Sequence, residues 1–328
     1  MRQNRRPALW AALALLFLCG CGTDAVPEAR RSVALVAKST ETEFWLSAFA
    51  GAQAAAAEYN LELTISGPGT EEDYETQNKM IAQAVENGAE VIVFSAIDYE
   101  RNAEAVDAAA QAGVGIVSID SGVGSDQVST YIGTDNYAAG QMAARAALEG
   151  VEGPLYVGMV NYGESSASGQ ERERGALDGL AESGRARIAA VVNTLTDTPR
   201  AQKDVVALLL DHPEINVLIA FNEPISVGAS KAVRTLDRAE DIFLVGFDSN
   251  VVTIDGLQDG YVDALIVQNP YAMGYLGVES AYKLLTGQGG SLKPVVDTST
   301  QIVDRENLFT MDGQKALFAF DPSQERAK

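Results

Sequence analysis

From residue 32 onward the chain alternates short runs rich in Val and Ile with longer, Ala-rich amphipathic stretches. That pattern leaves few folds open. A continuous run of β-branched residues suits a strand buried on both faces, and an amphipathic stretch between two such runs suits the helix that connects parallel neighbours. Strands are expected at 33–37, 61–66, 90–95, 115–119, 154–160, 187–192, 216–221, 242–247 and 263–267. Helices are expected at 43–58, 74–87, 102–112, 136–149, 171–182, 201–211, 224–236 and 270–286. Four strand and helix units precede "STYIGTDN" and about as many follow it, and 328 residues exceed the usual size of one domain, ~100–200 residues. The expectation is an α/β protein of two doubly wound parallel-sheet lobes joined by a multi-strand hinge. The chain would cross near Thr134, Gln268 and Asp297, giving one lobe from 32–133 plus 269–297 and another from 134–268 plus 298–320.

Two of the expected strands end on a carboxylate: "VGIVSID" on Asp120 and "DIFLVGFDSN" on Asp248, while "INVLIAFNEP" ends on Asn222. An unpaired carboxylate inside a sheet costs several kcal/mol, on the order of a buried-polar penalty. At the mouth of a strand it can face a cleft instead, and open parallel sheets bind ligands outside the carboxyl ends of their strands. Asp and Asn also serve as turn and helix-cap residues, so each position alone supports either reading.

The first residues follow another logic. Arg2, Arg5 and Arg6 precede an apolar run from Ala8 to Leu18 that is too short to span a bilayer, the layout of an export signal. It closes on "LCGC", which resembles a bacterial lipoprotein signal and implies that Cys21 carries lipid, with residues 22–31 as a tether. The only two cysteines are Cys19 and Cys21, so the folded portion has no disulfide. A net charge of −21 disfavours nucleic acid as a partner.

Catalysis finds little support. The only histidine, His212, falls at a helix end before Pro213, and no G-x-S-x-G elbow is present. Gly122 and Gly124 in "SGVGSDQ" lack the third glycine of a dinucleotide loop. No Cys/His cluster suggests a metal, and Glu71, Glu72 and Asp73 read as an acidic helix start. The chain is therefore expected to be a binding protein without cofactor or metal.

Taken in order, "VALVAKSTETEFW", "GIVSIDS", "IGTDNYAAG", "RERG", "AFNEPISVGA", "LVGFDSN" and "ALIVQNP" resemble the type I periplasmic sugar-binding proteins of the ribose and galactose class, over nearly all of residues 32–305. The resemblance implies roles for particular residues. Phe44 and Trp45 match the aromatic pair that stacks on a sugar ring, for which the alternative is packing at a helix start. Thr42 stands where ribose binders carry an Asn. Asp120 and Asp248 match carboxylates that accept from vicinal hydroxyls, and Asn222 and Gln268 match amides that donate and accept. Arg174, the second Arg of "RERG", matches a guanidinium on the ligand, with a surface ion pair to Glu171 as its alternative. Asp135 is expected to cap a helix rather than bind.

Two departures stand out: Ser121 replaces the Arg that follows the first strand-end Asp in ribose binders, and Thr196 or Asp197 replaces an aromatic. The resemblance implies a monomeric, extracytoplasmic, lipid-anchored protein that captures a monosaccharide and hands it to an ABC permease. The alternatives are a receptor coupled to a sensor kinase or chemoreceptor, and a ligand bearing an amine, since Glu43 and Glu223 add to the carboxylates. A sugar-responsive repressor would need a basic helix-turn-helix in its first ~60 residues, where this chain has the export signal instead.

Overall fold

A computed structural model of the protein describes residues 30–318, so the expectations for residues 1–29, Cys21 among them, lie outside the described residues. The chain opens with β1 (Ser32–Val36), α1 (Glu43–Glu58), β2 (Glu62–Ser66), α2 (Tyr74–Glu86), β3 (Val91–Phe94), α3 (Ala103–Gln111), β4 (Gly115–Ile119) and β5 (Val128–Gly133). It then runs through α4 (Asn136–Gly150), β6 (Leu155–Tyr162), α5 (Ala167–Glu182), β7 (Ala186–Thr194) and α6 (Thr198–Asp211). Next come β8 (Val217–Ala220), α7 (Glu223–Thr235), β9 (Phe243–Phe247), α8 (Val251–Asp259) and β10 (Ala264–Val267). The last elements are α9 (Pro270–Leu285), β11 (Val295–Asp297), β12 (Gln301–Asp304) and α10 (Met311–Leu317).

Twelve strands form two sheets of the same plan. One has the order β11-β5-β4-β3-β1-β2 and the other β12-β10-β9-β8-β6-β7, so that β1 corresponds to β6, β3 to β8 and β4 to β9. All pairings are parallel except that of β12, which runs antiparallel on the edge beside β10. The central strands β3, β8 and β10 are buried along their whole length, as expected of a sheet covered on both faces.

Three strands lie outside the sequence expectation or extend it. β5 is legible only in hindsight: Thr130 and Ile132 are buried while Ser129 is exposed, and its place beside β4 rather than its composition makes it a strand. β11 and β12 are the two halves of the late run "PVVDTSTQIVD", one adding to each sheet, so the chain crosses between lobes a third time.

Helices carry the same symmetry. α9 leaves the second sheet and packs on α1 and on the β3, β4 and β5 layer, whereas α4 leaves the first sheet and packs on α5 and β9. Both helix pairs are close enough to require glycine. A β-carbon at Gly140 would collide with the Arg172 carbonyl, and one at Gly274 with the Ala48 carbonyl. The first contact matters for the site, because it fixes the depth at which α5 delivers Arg172.

Candidate functional site

Asp120 and Asp248 occupy the same place in the two sheets. Each donates its backbone N–H to the neighbouring strand, Asp120 to Ile132 at 3.0 Å and Asp248 to Ile266 at 2.9 Å. Each then turns the chain with a positive φ, 59° and 67°. Non-glycine residues rarely adopt this left-handed geometry, and Asp tolerates it better than most. The bend swings both carboxylates, each 5% exposed, into the space between the lobes.

That space is a cavity of about 300 Å³ lined by residues of both lobes, including Thr42, Phe44, Trp45, Asp120, Asn222, Asp248 and Gln268. These are the residues singled out from sequence, with one exception. Arg174 points away: its side chain is 61% exposed, pairs with Glu171 at 2.5 Å and lies over the Tyr137 ring. The guanidinium in the cavity is that of Arg172, 2% exposed. Two residues on a helix are separated by about 200°, so only one of the pair can face inward, and the buried face of α5 carries Ser168, Gly169, Arg172, Gly175 and Ala176.

Arg172 makes three hydrogen bonds within the protein. It donates to Asn136 Oδ1 at 2.8 Å, to the Phe221 carbonyl at 2.7 Å and to Gln268 Oε1 at 2.8 Å, with its guanidinium over the Phe247 ring. Gln268 Oε1 also accepts from Thr134 Oγ1 at 2.8 Å, and its amide donates to Asp248 Oδ1 at 2.6 Å. Two of the three crossing points predicted from sequence, Thr134 and Gln268, are thus bonded to each other and to the cavity wall. Burial pushes the Asp248 carboxyl above its ordinary range, against the pull of Arg172 and the Gln268 amide.

The first lobe supplies a charge that sequence reading missed. Lys38, two residues past β1 and 3% exposed, brings its ammonium to 3.4 Å from Asp120 Oδ2, which also accepts from Ser95 Oγ at 2.8 Å. Across the cleft it reaches Ser166 Oγ at 3.4 Å and Ser168 Oγ at 3.3 Å, and sits over the Tyr162 ring. Burial alone would lower its pKa, but Asp120, Tyr162 and Glu71 outweigh it and raise it. The available signal was an ionisable residue closing the run "VALVAK", the same signature that marked Asp120. Lys38 also restores a cation beside Asp120 where Ser121 removes the expected one.

Trp45 is 1% exposed, with Phe49 stacked at 6.1 Å and Phe44 edge-on at 5.2 Å. It belongs to the core and to the cavity lining at once, which joins the two readings of the sequence. Its indole N–H donates to Glu71 Oε1 at 2.8 Å. Glu71 therefore faces the cavity instead of simply charging a helix start, and burial raises its pKa. Only Asp73 of that acidic trio caps α2, accepting from Thr76 N at 2.9 Å. Thr42 caps α1 through Trp45 N at 3.3 Å, Asp135 caps α4 as expected, and Asn222 caps α7 through Oδ1 at 3.1 Å. The other side of that amide, Asn222 Nδ2, is buried without a partner among the described residues. A buried donor left unpaired costs about 1–3 kcal/mol, so it invites an acceptor from the cavity.

The lobes also bond to each other directly. Glu223, at the start of α7, accepts from the backbone N–H of Phe44 at 2.8 Å and of Glu43 at 3.2 Å, seating its carboxylate on the N-terminus of α1. Asn250 Nδ2 holds the same carboxylate at 2.8 Å. Burial lifts the Glu223 pKa to about 7; the Phe44 N–H opposes the shift and the charge of Asp248 adds to it. Glu72 accepts from both N and Oγ1 of Thr196 at 2.7 Å, and Tyr99 N donates to the Ser165 carbonyl at 2.9 Å.

Residues 33–289 match the periplasmic binding protein domain. The chain is 27% identical to the D-ribose/D-allose-binding protein of Pseudomonas aeruginosa, over 84% of this chain and 89% of that one. It is also 27% identical to the ribose import binding protein of Escherichia coli, over 90% of this chain and 98% of the relative. In structure it is similar to a carbohydrate transporter solute-binding protein of Agrobacterium radiobacter in complex with D-arabinose. There the TM-score is 0.85 at 25% identity, covering 88% of this chain and 99% of that one. The relatives are sugar- or carbohydrate-binding proteins and not enzymes, in line with the sequence expectation.

Proposed function

We propose that this chain, which belongs to the periplasmic binding protein family, is an extracytoplasmic receptor that captures a monosaccharide between its lobes and delivers it to an ABC permease. The observation that carries this reading is the convergence of Asp120, Asp248 and the unpartnered Asn222 Nδ2 on one cavity. Two acceptors from opposite lobes and a spare donor suit vicinal hydroxyls, each of which donates and accepts. Charge-assisted hydrogen bonds contribute about 1.5–3 kcal/mol each, so a few supply much of the ~8 kcal/mol of a micromolar complex. Phe44 and Trp45 offer the apolar surface for the C–H face of a ring.

Ligand groups that bridge Asp120 in one lobe and Asp248 in the other stabilise the closed arrangement, in which Glu223 and Glu72 hold the lobes together. Lipid on Cys21 would keep the protein at the membrane. A thermal-shift screen of the purified protein with D-ribose, D-allose and D-arabinose, followed by calorimetry, tests the reading. Stabilisation with saturable heat supports it, and a flat response across aldopentoses and aldohexoses would sink it. Incorporation of labelled lipid, lost on Cys21→Ala, tests the anchor.

One observation favours a second ligand chemistry. The cavity carries four carboxylates, Glu71, Asp120, Glu223 and Asp248, against two cations, Lys38 and Arg172, both already engaged by protein groups. An amine on the sugar would meet that excess, and glucosamine and galactosamine belong in the same screen.

A further inference from the structure

Outside the ligand cavity lies a second, larger one of about 1240 Å³, open to solvent at the lips of the lobes. The two share Thr42, Glu71, Glu223 and Pro224 in their linings, so the cavities lie on either side of the same four residues. With about 300 Å³ of empty space the inner cavity has no room for more than one small molecule. The outer cavity is roughly four times that size.

We propose that the outer cavity is a second sugar subsite, so that the protein takes a disaccharide or glycoside with one ring held inside and the next ring in this vestibule. The inference rests on the sugar-capture reading above and extends it.

Three features of the vestibule support this occupant. Its wall at Thr196 carries a small side chain that Glu72 holds against the opposite lobe. Pro199, Val251 and Val252 provide apolar surface, and Val251 is 60% exposed with nothing packed over it to account for its place. Glu41, Glu43 and Asp197 provide acceptors for hydroxyl donors. No Lys or Arg lines the vestibule among the described residues, which disfavours a phosphate or uronate substituent on the second unit. A second ring laid on the Val251 and Val252 side chains would bury its C–H face and turn its hydroxyls toward the carboxylates.

Calorimetry with the purified protein separates this inference from the reading beneath it. The probes are D-glucose, D-galactose, D-xylose and D-arabinose on one side, and maltose, cellobiose, lactose and xylobiose on the other. The expected result is a disaccharide that binds three- to thirtyfold tighter than the monosaccharide that forms its anchored end. The double variant Glu41→Gln/Glu43→Gln should erase at least fivefold of that gain while changing monosaccharide affinity less than twofold. Monosaccharide binding with every disaccharide a hundredfold weaker overturns the second subsite and leaves sugar capture standing. A double variant that weakens both ligand classes equally also overturns it. If neither class binds, sugar capture falls and the subsite with it.

Discussion

Asp120 and Asp248 stand at equivalent positions of two sheets with the same strand order, share the same left-handed turn and are equally buried, yet they live in different company. Asp120 is held by a hydroxyl and faces an ammonium, both from its own lobe, at the ends of β3 and β1. Asp248 is held by the amide of Gln268, where the chain crosses between lobes, and beyond that amide by the hinge network of Arg172 and Thr134. The position that Lys38 occupies after β1 is taken in the second lobe by Tyr162 at the end of β6, as the strand registers show. The fold repeats the place of a carboxylate, but it does not repeat the neighbours that decide what the carboxylate does. One Asp is charge-balanced within its lobe, and the other reports on the hinge.

The sharpest way to break that comparison is to remove each carboxylate in turn. Asp120→Ala strands the Lys38 ammonium in a cavity where it is 3% exposed, and should destabilise the fold by about 3–5 kcal/mol. Adding Lys38→Met should recover most of that loss in chemical denaturation. A double variant no more stable than the single one would show that the two side chains are not energetically paired. Asp248→Ala leaves a neutral amide instead of a cation as its direct partner, so its main effect should fall on ligand. Affinity is expected to drop by about 1–3 kcal/mol with the fold intact, as read by calorimetry and thermal unfolding.

The acidic groups of the cleft predict a pH dependence of closure. In the closed arrangement Glu223 has a pKa of about 7 against an ordinary value of 4.5, because it is buried. A raised carboxyl pKa means that the closed, folded form binds the proton more tightly. Its contribution is complete below about pH 4.5 and is lost as pH rises through 7. Asp248 and Glu71, also raised by burial, act in the same direction. Thermal stability should therefore be higher at pH 5.5 than at pH 8, with a share on the order of 1–3 kcal/mol from Glu223. Glu223→Gln should flatten that share, and an unchanged pH profile in the variant would remove Glu223 from the account.

The smallest effect tests the helix phase on which the site turns. Arg174→Ala should change stability and affinity by no more than about 0.5 kcal/mol, since its pair with Glu171 lies on the surface. Arg172→Ala would leave Asn136, the Phe221 carbonyl and Gln268 without their shared donor. A large effect at Arg174 measured beside a small one at Arg172 would reverse the assignment.

Much of this site is legible in the sequence, for a reason visible at single residues. A carboxylate that interrupts an apolar run, as at Asp120 and Asp248, is a local event, and the rule that parallel sheets bind ligands at their carboxyl ends turns it into a place. The same logic, applied to the run ending on Lys38, would have found the missing cation. Arg172 was beyond that logic. "RERG" offers two guanidiniums two residues apart on a helix, and nothing local says which face is buried. Glu71 and Glu72 were read as one acidic helix start, yet one reaches the Trp45 indole and the other the opposite lobe. The two lie in the turn before α2, where their side chains diverge, and only the position of the second lobe distinguishes them.

The sequence by itself determined the two-lobed α/β plan and marked the strand ends at Asp120, Asn222 and Asp248 as the places to look. All of these follow from periodicity and from the cost of burying a charge within a sheet. Only the tertiary structure decided which arginine enters the cavity, that Lys38 balances Asp120, and that Glu223 and Glu72 bind one lobe to the other. Each of those depends on groups from distant parts of the chain meeting within about 3.5 Å, and such meetings are fixed by helix phase and by packing such as that of Gly140 against α5.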